Sequence, residues 1–220
     1  MEIISAPLFP LPNVVFFPKT SLPLHIYEPR YRQLMRDALS SDRRIAVGLL
    51  QPGWEQDYYG NPAVHEVCCV GTIDSFEELE DGKFDLVLVG EQKIRIVKVF
   101  KESPYRTIGG ISLQEKGPAR DAEETLQQQE TILELARQYF KLRTSNEPEL
   151  SGLHELRYEG LINSLASYLG FPASHKQQLL ELDDLEQRGR LIAHFLRTQI
   201  HEQRVLVQFQ HLTPKDPTWN

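Results

Sequence analysis

The sequence has very little cysteine and no long apolar run. Its only two cysteines, Cys68 and Cys69, are neighbours, and a disulfide between adjacent residues would close a strained ring. We therefore expect two reduced thiols in a core, as is usual in the cytoplasm. No apolar run approaches the roughly 20 residues that a membrane-spanning helix needs, and the first residues lack the features of a secretory signal. These absences predict a cytoplasmic protein with no membrane partner.

The sequence also lacks a basic excess. It holds 24 Lys and Arg against 31 Asp and Glu, for a formal net charge of −7. Proteins that bind the phosphate backbone present concentrated Lys and Arg, so nucleic acid is not the expected partner. The fractions of hydrophobic residues, 40%, and of charged residues, 25%, are those of an ordinary globular protein.

The sequence motifs of common enzyme classes are missing as well. There is no GxxxxGK[ST], GxSxG, HExxH or CxxC. The sequence therefore contains no local motif that predicts a phosphate-binding site, a hydrolase or a zinc site. His194 and His201 are seven residues apart, and a metal site there would need further ligands. We expect no cofactor and no metal. A hydrolase whose residues are brought together only by the fold stays an open alternative.

The most distinctive stretch runs from Pro7 to Arg32. Its six prolines separate short apolar runs, which predicts a kinked β ribbon because proline cannot donate to a strand ladder. Pro29 suits the first turn of a helix, and apolar residues then recur with helical spacing as far as Leu39. The stretch therefore predicts a ribbon, a tight corner and a helix that pack into one core.

The residues FPLPNVVFFP and LPLHIYEPRYRQLM in this stretch resemble the opening of the Lon protease amino-terminal (substrate-binding) domain, in its stand-alone form. The resemblance continues through Gly71-Thr72-Ile73, Leu88-Val89-Gly90 and the run from Lys176 to Asp184. At Lys93 the sequence departs from the family, which more often has arginine there. The resemblance implies a PUA-like antiparallel β-barrel subdomain followed by a helical bundle. The ATPase and Ser-Lys peptidase motifs of full-length Lon proteases are absent.

The spacing of apolar residues divides the chain in the same way. Strands are predicted over 44–50, 64–76, 83–89, 93–99 and 105–113, with a hairpin turn at Asp81-Gly82 and with Lys93, Arg95 and Lys98 near solvent. After Gly117-Pro118 the period changes to 3.6, which predicts helices over 121–143 and 153–169, a short one capped by Ser174, and a last one opened by Asp183. Gly170 is expected as a C-cap. The prediction is an α+β fold with a β subdomain at 1–116 and a helical bundle at 119–212.

Two features point to a binding site. The 51–63 loop carries three large aromatics, which either pack back on the sheet or contact a ligand. Glu28 and Arg30 flank Pro29, and either pair locally at the helix start or line a peptide groove. The residues predicted to bind peptide are Tyr27, Glu28, Arg30, Tyr31, Trp54, Tyr58 and Tyr59.

These observations favour a non-enzymatic module that binds polypeptide segments or a partner protein. By resemblance, the ligand is unfolded or degron-bearing polypeptide, or the chain acts as an adaptor. The peptide would add a strand to an exposed sheet edge or enter a groove between the two halves. RNA binding through the PUA-like barrel is the other alternative, based on a small basic cluster: Lys93, Arg95, Lys98, Lys101 and Arg106. The sequence leaves the oligomeric state open.

Overall fold

The described residues form six strands and five helices, of which one helix follows the first two strands and four follow the last strand. The computed structural model describes residues 3–118, 122–143 and 151–209. The strands are β1 (Ile3–Leu11), β2 (Ser21–Ile26), β3 (Arg44–Leu49), β4 (Val67–Glu78), β5 (Phe84–Lys101) and β6 (Thr107–Ser112). The helices are α1 (Pro29–Leu39), α2 (Ala122–Arg143), α3 (Tyr158–Tyr168), α4 (Ala173–Glu181) and α5 (Leu185–Phe209), with short 3₁₀ turns at Trp54–Asp57 and Ser151–Glu155. The predicted α+β class is confirmed.

The strands form one sheet in the order β2-β5-β4-β3-β1-β6, and β5 also pairs with β6. Strand β5 makes this possible because it is 18 residues long. Its first half, 84–89, pairs with β2, and its second half, 94–101, pairs with β6. The two separate strands predicted over 83–89 and 93–99 are therefore one strand. Gly90 lies in its middle, where a Cβ would lie 2.1 Å from the carbonyl oxygen of Phe17, so this glycine permits a close backbone approach and does not end the strand.

One strand pair departs from the antiparallel sheet that the resemblance implies. Strands β1 and β3 are parallel, with Leu8 opposite Ala46 and Leu11 opposite Leu49. The other named pairs are antiparallel. Parallel neighbours need a long crossover connection, and here β2 and α1 lie between β1 and β3 in the chain and supply it.

Helix α1 packs its apolar face against the sheet, as its sequence predicts. Pro29 occupies the first helical position after Glu28, whose backbone is extended. The buried face of the helix carries Tyr31, Leu34 and Met35, which share a core with strand residues such as Phe84 and Leu88. The edge of the Tyr31 ring meets the ring of Phe9 at a centroid distance of 4.8 Å. The helix therefore holds the corner at Glu28 in a fixed position.

The helical half and the β half share a second core. Helices α2 to α5 bury their apolar residues in one cluster, and that cluster also contains Val15, Phe17, Leu49 and Val67 from the β half. Packing between the halves is thus continuous. The division into subdomains at 1–116 and 119–212 rests on the sequence pattern. The shared core neither supports nor contradicts it, so it stays a prediction.

A buried polar network joins the two halves, and it corrects the prediction that Lys93 faces solvent. Lys93 is 1% exposed, because α4 and the segment after it cover this part of β5. Its Nζ donates to the carbonyl oxygens of Leu180 at 3.1 Å and Leu182 at 2.7 Å, and lies 2.7 Å from Oδ1 of Asp183. Burial lowers the pKa of Lys93, and the hydrogen bond to Asp183 acts in the opposite direction.

Arg188 of α5 extends the same network. Its fully buried side chain donates to Oδ1 of Asn163 at 2.5 Å and to the carbonyl oxygen of Leu182 at 2.6 Å, and it pairs with Glu115. Asn163 in turn donates to the carbonyl oxygen of Pro18 at 3.1 Å. Since buried polar groups cost free energy unless they are paired, these bonds fix the helices on the β half in one arrangement.

Helix ends differ from the sequence predictions in three places. The side chain of Asp184, not of Asp183, accepts from a backbone N–H at the start of α5, that of Gln187 at 2.9 Å. Helix α4 begins at Ala173 after Pro172, ahead of Ser174. Gly170 follows an extended C-cap residue, Leu169, and a Cβ on Gly170 would lie 2.8 Å from the hydroxyl of Tyr139. Close packing, not a left-handed C-cap, explains that glycine.

Candidate functional site

A cavity of about 200 Å³ opens at the corner between β2 and α1. The ends of β1 and β2 form its walls, although these two strands do not pair with each other anywhere in the described ranges. The structure brings five of the seven sequence-predicted residues to it, namely Tyr27, Glu28, Arg30, Tyr31 and Tyr58. The remaining lining residues are Phe9, Pro10, Leu11, Pro12, Leu24, His25, Ile26, Leu50 and Pro62.

Glu28 and Arg30 pair with each other at the start of α1. Nε of Arg30 lies 3.1 Å from Oε2 of Glu28, and both side chains are about four-fifths buried. The carbonyl oxygen of Glu28 accepts from the backbone N–H groups of Tyr31 at 3.0 Å and Arg32 at 2.9 Å, which begins the helix. The local pairing predicted for Glu28 and Arg30 is therefore present, and the pair also forms part of the cavity wall.

Arg30 fastens the 51–63 loop to the helix. Its guanidinium donates to the carbonyl oxygen of Gly60 at 3.2 Å and to that of Tyr58 at 3.1 Å. It also lies 4.6 Å from the centroid of the Tyr31 ring, in a cation–π contact. A planar guanidinium with five donors suits this role, because one side chain reaches two carbonyls and a carboxylate together.

Tyr58 also links the 51–63 loop to the start of α1. Its hydroxyl donates to Oε1 of Glu28 at 2.9 Å. This hydrogen bond is the main reason that the pKa of Tyr58 is raised, with burial second. Burial is the main reason that the pKa of Tyr31 is raised too. Both phenols therefore stay neutral over the physiological pH range and present uncharged rings to the cavity.

Trp54 and Tyr59 lie outside the cavity lining. The Trp54 ring lies 5.6 Å from the Tyr58 ring, and the Tyr59 ring meets Tyr58 edge-on at 5.1 Å. Trp54 is half-buried and Tyr59 is 90% exposed. Tyr58, which lines the cavity, thus lies between the other two rings, and Tyr59 faces solvent. The loop therefore packs back on the protein, at the start of α1 and not on the sheet. Contact of its aromatic rings with a ligand stays a prediction.

Sequence reasoning missed the wall that β1 provides. Phe9, Pro10, Leu11 and Pro12 line the cavity, and the alternation of proline with apolar residues was the signal that could have found them.

Of the residues that the structure describes, no serine, threonine, cysteine or lysine lines the cavity. His25 lines it, but Nδ1 of His25 lies 2.7 Å from Oδ1 of Asp85 on the exposed side of β2 and β5. The two cysteines are buried elsewhere, as free thiols, and burial raises the pKa of Cys68 to about 12. Among the described residues no group of three His, Cys, Asp or Glu side chains could hold a metal ion.

Within the ranges 3–118, 122–143 and 151–209, no helix combines the length and the apolar character that crossing a bilayer requires.

Comparison with known proteins gives a consistent result. The family model for the ATP-dependent protease La (LON) substrate-binding domain matches residues 5–198. The chain is 26% identical over 211 residues to the Lon protease of Xanthomonas oryzae pv. oryzae, which covers 93% of this chain and 24% of that protein. It is 28% identical over 200 residues to Lon protease 2 of Myxococcus xanthus, which covers 86% of this chain and 23% of that protein. The chain thus spans about a quarter of the length of these curated relatives.

Two solved structures share the fold. The amino-terminal domain of the Mycobacterium avium complex Lon protease aligns with a TM-score of 0.69 at 16% identity, over 88% of this chain and 98% of that one. The Lon N-terminal domain protein from Xanthomonas campestris aligns with a TM-score of 0.60 at 23% identity, over 84% and 95%. At these identities the likeness is one of fold.

Proposed function

Because the chain belongs to the LON substrate-binding domain family, we propose that it is a non-enzymatic module that binds polypeptide segments at the cavity beside Glu28 and Arg30. The ligand is an unfolded or otherwise extended segment, and the location is the cytoplasm, with which two free cysteines are compatible. The observation that carries the proposal is the apolar and aromatic lining of a cavity that the Arg30 contacts hold open.

The size of the cavity favours a side chain as its occupant. About 200 Å³ is smaller than the roughly 300–1,000 Å³ of sites for drug-sized molecules. One large apolar side chain of a segment would enter between the ends of β1 and β2. The rest of the segment would lie along the free edge of β2, whose other edge pairs with β5, or across the rings of Tyr58 and Tyr59.

The polar groups of the cavity are already paired. Arg30 donates hydrogen bonds to Glu28, Tyr58 and Gly60, and Glu28 accepts from both Arg30 and Tyr58. A ligand would therefore gain little from charge here, and most of its binding free energy would come from burying apolar surface. Because salt screens exposed charges and leaves apolar burial intact, binding at this site is expected to survive added salt.

Fluorescence anisotropy of a labelled, reduced and carboxymethylated polypeptide tests the proposal. The protein is titrated at about 50 mM and about 300 mM salt, a range over which surface electrostatics weaken. Tyr27→Ala removes a cavity-lining ring that is 56% exposed, and Tyr168→Ala removes a ring that is 72% exposed on α3. We expect saturable binding at both salt concentrations, weakened about five- to tenfold by Tyr27→Ala and unchanged by Tyr168→Ala.

Two outcomes would contradict the proposal. If the unmodified protein shows no saturable binding at either salt concentration, it does not bind polypeptide, and membership of the family describes only its fold. Equal affinities of the Tyr27→Ala and Tyr168→Ala variants would remove the cavity as the site. Both variants change exposed tyrosines, so circular dichroism should show that they keep the fold, and any loss of affinity is then local.

A further inference from the structure

The ends of β5 and β6 carry a second exposed patch that the proposed polypeptide site does not use. Strand β4 pairs with β5 only as far as Arg95, opposite Val67. From Val97 to Lys101, β5 has β6 on one side, and within the described residues no strand pairs with its other side. The two strands thus leave the sheet as a ribbon. Val99 lies opposite the buried Ile108 and faces the other way. We call the remaining exposed residues at this end of β5, together with Ile3 of β1 beside them, the ribbon patch: Ile3, Val97, Lys98, Phe100 and Lys101.

The ribbon patch is apolar to a degree that is unusual for a strand end. Val97 is 51% exposed, Phe100 is 50% exposed and Ile3 is 52% exposed. Phe100 and Ile3 lie together over Gly109, where a Cβ would come within 2.7 Å of the Phe100 ring and 2.9 Å of the Ile3 side chain. Because Gly109 has no side chain, the side chains of Phe100 and Ile3 can pack over it. Contiguous exposed apolar groups of this kind mark interaction surfaces.

Two lysines give the ribbon patch a positive charge. The ammonium of Lys98 lies 5.1 Å from the centroid of Phe100, and that of Lys101 lies 4.8 Å from the centroid of Tyr105. Neither lysine forms an ion pair with a described residue, whereas Arg95 pairs with Glu66 at 3.7 Å. Glu102, next in the chain, is exposed and adds one negative charge beside Lys101. In a protein of net charge −7, two lysines against this one carboxylate still form a local positive site beside exposed apolar groups.

We propose that the ribbon patch is a docking surface for an acidic protein segment that carries apolar or aromatic side chains. Carboxylates of the partner would meet Lys98 and Lys101, and its apolar side chains would cover Phe100 and Val97. This charge complementarity would speed association and exclude basic segments. The proposal concerns a different surface and a different ligand chemistry from the proposed function.

The register of the ribbon decides how such a segment binds. The pairing of β5 with β6 is irregular between Ile96 and Lys98 and again between Val99 and Lys101. Bulges and lysines at a sheet edge oppose the addition of a further strand. The partner therefore docks through its side chains and does not extend the sheet.

The same residues argue against nucleic acid as the occupant. The five-residue basic cluster of the sequence does not form one surface, because Lys93 is buried and Arg106 donates to the carbonyl oxygen of Pro62. The three others, of which Arg95 is already paired, are few for a phosphate backbone, whose binders commonly make six or more contacts.

Anisotropy with three labelled peptides tests the proposal on the full chain. The peptides alternate Glu with Phe, Lys with Phe, and Glu with Gly. We expect the unmodified protein to prefer the Glu–Phe peptide over each of the others by at least about fivefold at 50 mM salt. At 500 mM salt it should lose the preference over the Lys–Phe peptide, which depends on charge. A weak response to the Glu–Gly peptide would show that charge alone is insufficient.

Variants locate the surface. Lys98→Glu combined with Lys101→Glu should weaken Glu–Phe binding about tenfold, and Phe100→Ser should weaken it about fivefold. Lys116→Glu combined with Arg197→Glu makes the same change in net charge at two exposed positions elsewhere, and should leave it within about twofold. Tyr27→Ala should also leave it unchanged, so that failure of the polypeptide site and failure of the ribbon patch are distinguishable.

Each other result overturns the proposal. Equal affinity of the ribbon variant and its charge-matched control means that the ribbon patch is not the site. Tighter binding of a single-stranded RNA oligonucleotide, lost in the ribbon variant, assigns the patch to nucleic acid. Dimers of the unmodified protein by light scattering that the ribbon variant does not form assign it to a second copy of this chain. Absence of Glu–Phe binding removes the acidic partner.

Discussion

The hydroxyl of Tyr58 donates to the carboxylate of Glu28 across thirty residues of sequence, at 2.9 Å. That hydrogen bond and the two from Arg30 to the loop carbonyls are the means by which the 51–63 loop is held against the start of α1. The loop has little regular structure of its own, with a single 3₁₀ turn. Its shape at the cavity therefore depends on these contacts.

Arg30→Ala should release the loop. The substitution removes the donors to Tyr58 and Gly60 and leaves Glu28 without its cation, at a cost of about 1–3 kcal/mol in the free energy of unfolding. Hydrogen exchange should accelerate in 51–63 more than in β4, as measured by mass spectrometry. Arg197→Ala, on the exposed face of α5, is the matched control and should change neither quantity. A variant with unaltered loop exchange would show that Arg30 does not hold the loop.

Tyr105 should make stability depend on alkaline pH. Burial, and after it the hydrogen bond to Asp37, raises the pKa of Tyr105 to about 12. The unfolded tyrosine loses its proton near pH 10 while the folded one keeps it. The contribution of Tyr105 is therefore fully present below pH 10 and is lost as the pH rises from 10 towards 12.

Urea unfolding at pH 8, 10 and 11.5 measures this effect. Tyr105→Phe should lose less stability between pH 10 and 11.5 than the unmodified protein does. Tyr168→Phe, at an exposed ring, should behave like the unmodified protein. Identical slopes for Tyr105→Phe and the unmodified protein would contradict the raised pKa.

Lys93→Met should weaken the packing between the β half and the helical half, and so lower the free energy of unfolding. Methionine keeps much of the volume but removes the Lys93 donor from the carbonyl oxygen of Leu180 and leaves that of Leu182 with Arg188 alone, which costs about 1–3 kcal/mol. Lys116→Met, at an exposed side chain, should stay within about 0.5 kcal/mol of the unmodified protein. Chemical denaturation gives both values. A neutral Lys93→Met would mean that water or backbone movement satisfies these carbonyls.

Gly90→Ala should disrupt the middle of β5. The new Cβ would lie 2.1 Å from the carbonyl oxygen of Phe17, and backbone must move to relieve the clash, so a loss of about 3 kcal/mol or more is expected. Gly117→Ala is the matched control, because a Cβ there meets nothing within 4 Å. Thermal unfolding of the two variants should differ accordingly, and similar melting temperatures would argue that the segment before β2 yields easily.

Local patterns in the sequence were sufficient for most of the fold. Pro29 with its apolar helical spacing predicted α1, and Asp81-Gly82 predicted the turn between β4 and β5, where Gly82 has a φ of 75°. Features that depend on distant residues were not predictable in this way. Lys93 alternates with apolar neighbours like a surface residue, and only the carbonyls of Leu180 and Leu182, nearly ninety positions later, explain its burial.

The candidate site shows the same limit. The tight corner at Pro29 and the aromatic loop identified five lining residues, because both signals are local. The contribution of Phe9 to Pro12 required knowledge that the end of β1 lies near the end of β2, although the two strands are far apart in the strand order of the sheet. The role of the loop in binding peptide stays a prediction.

The buried polar network around Lys93 has a consequence for the order in which the chain acquires its structure during synthesis. A nascent chain that has emerged only as far as β6 contains every strand that the structure describes, yet the ammonium of Lys93 then has none of its three close partners, which come from residues 180 to 183. Because burial of an unpaired cation costs free energy, we expect this position of β5 to stay hydrated until α4 and the segment after it have been made. The strands are made first, and we expect them to reach their final packing only when the helices arrive.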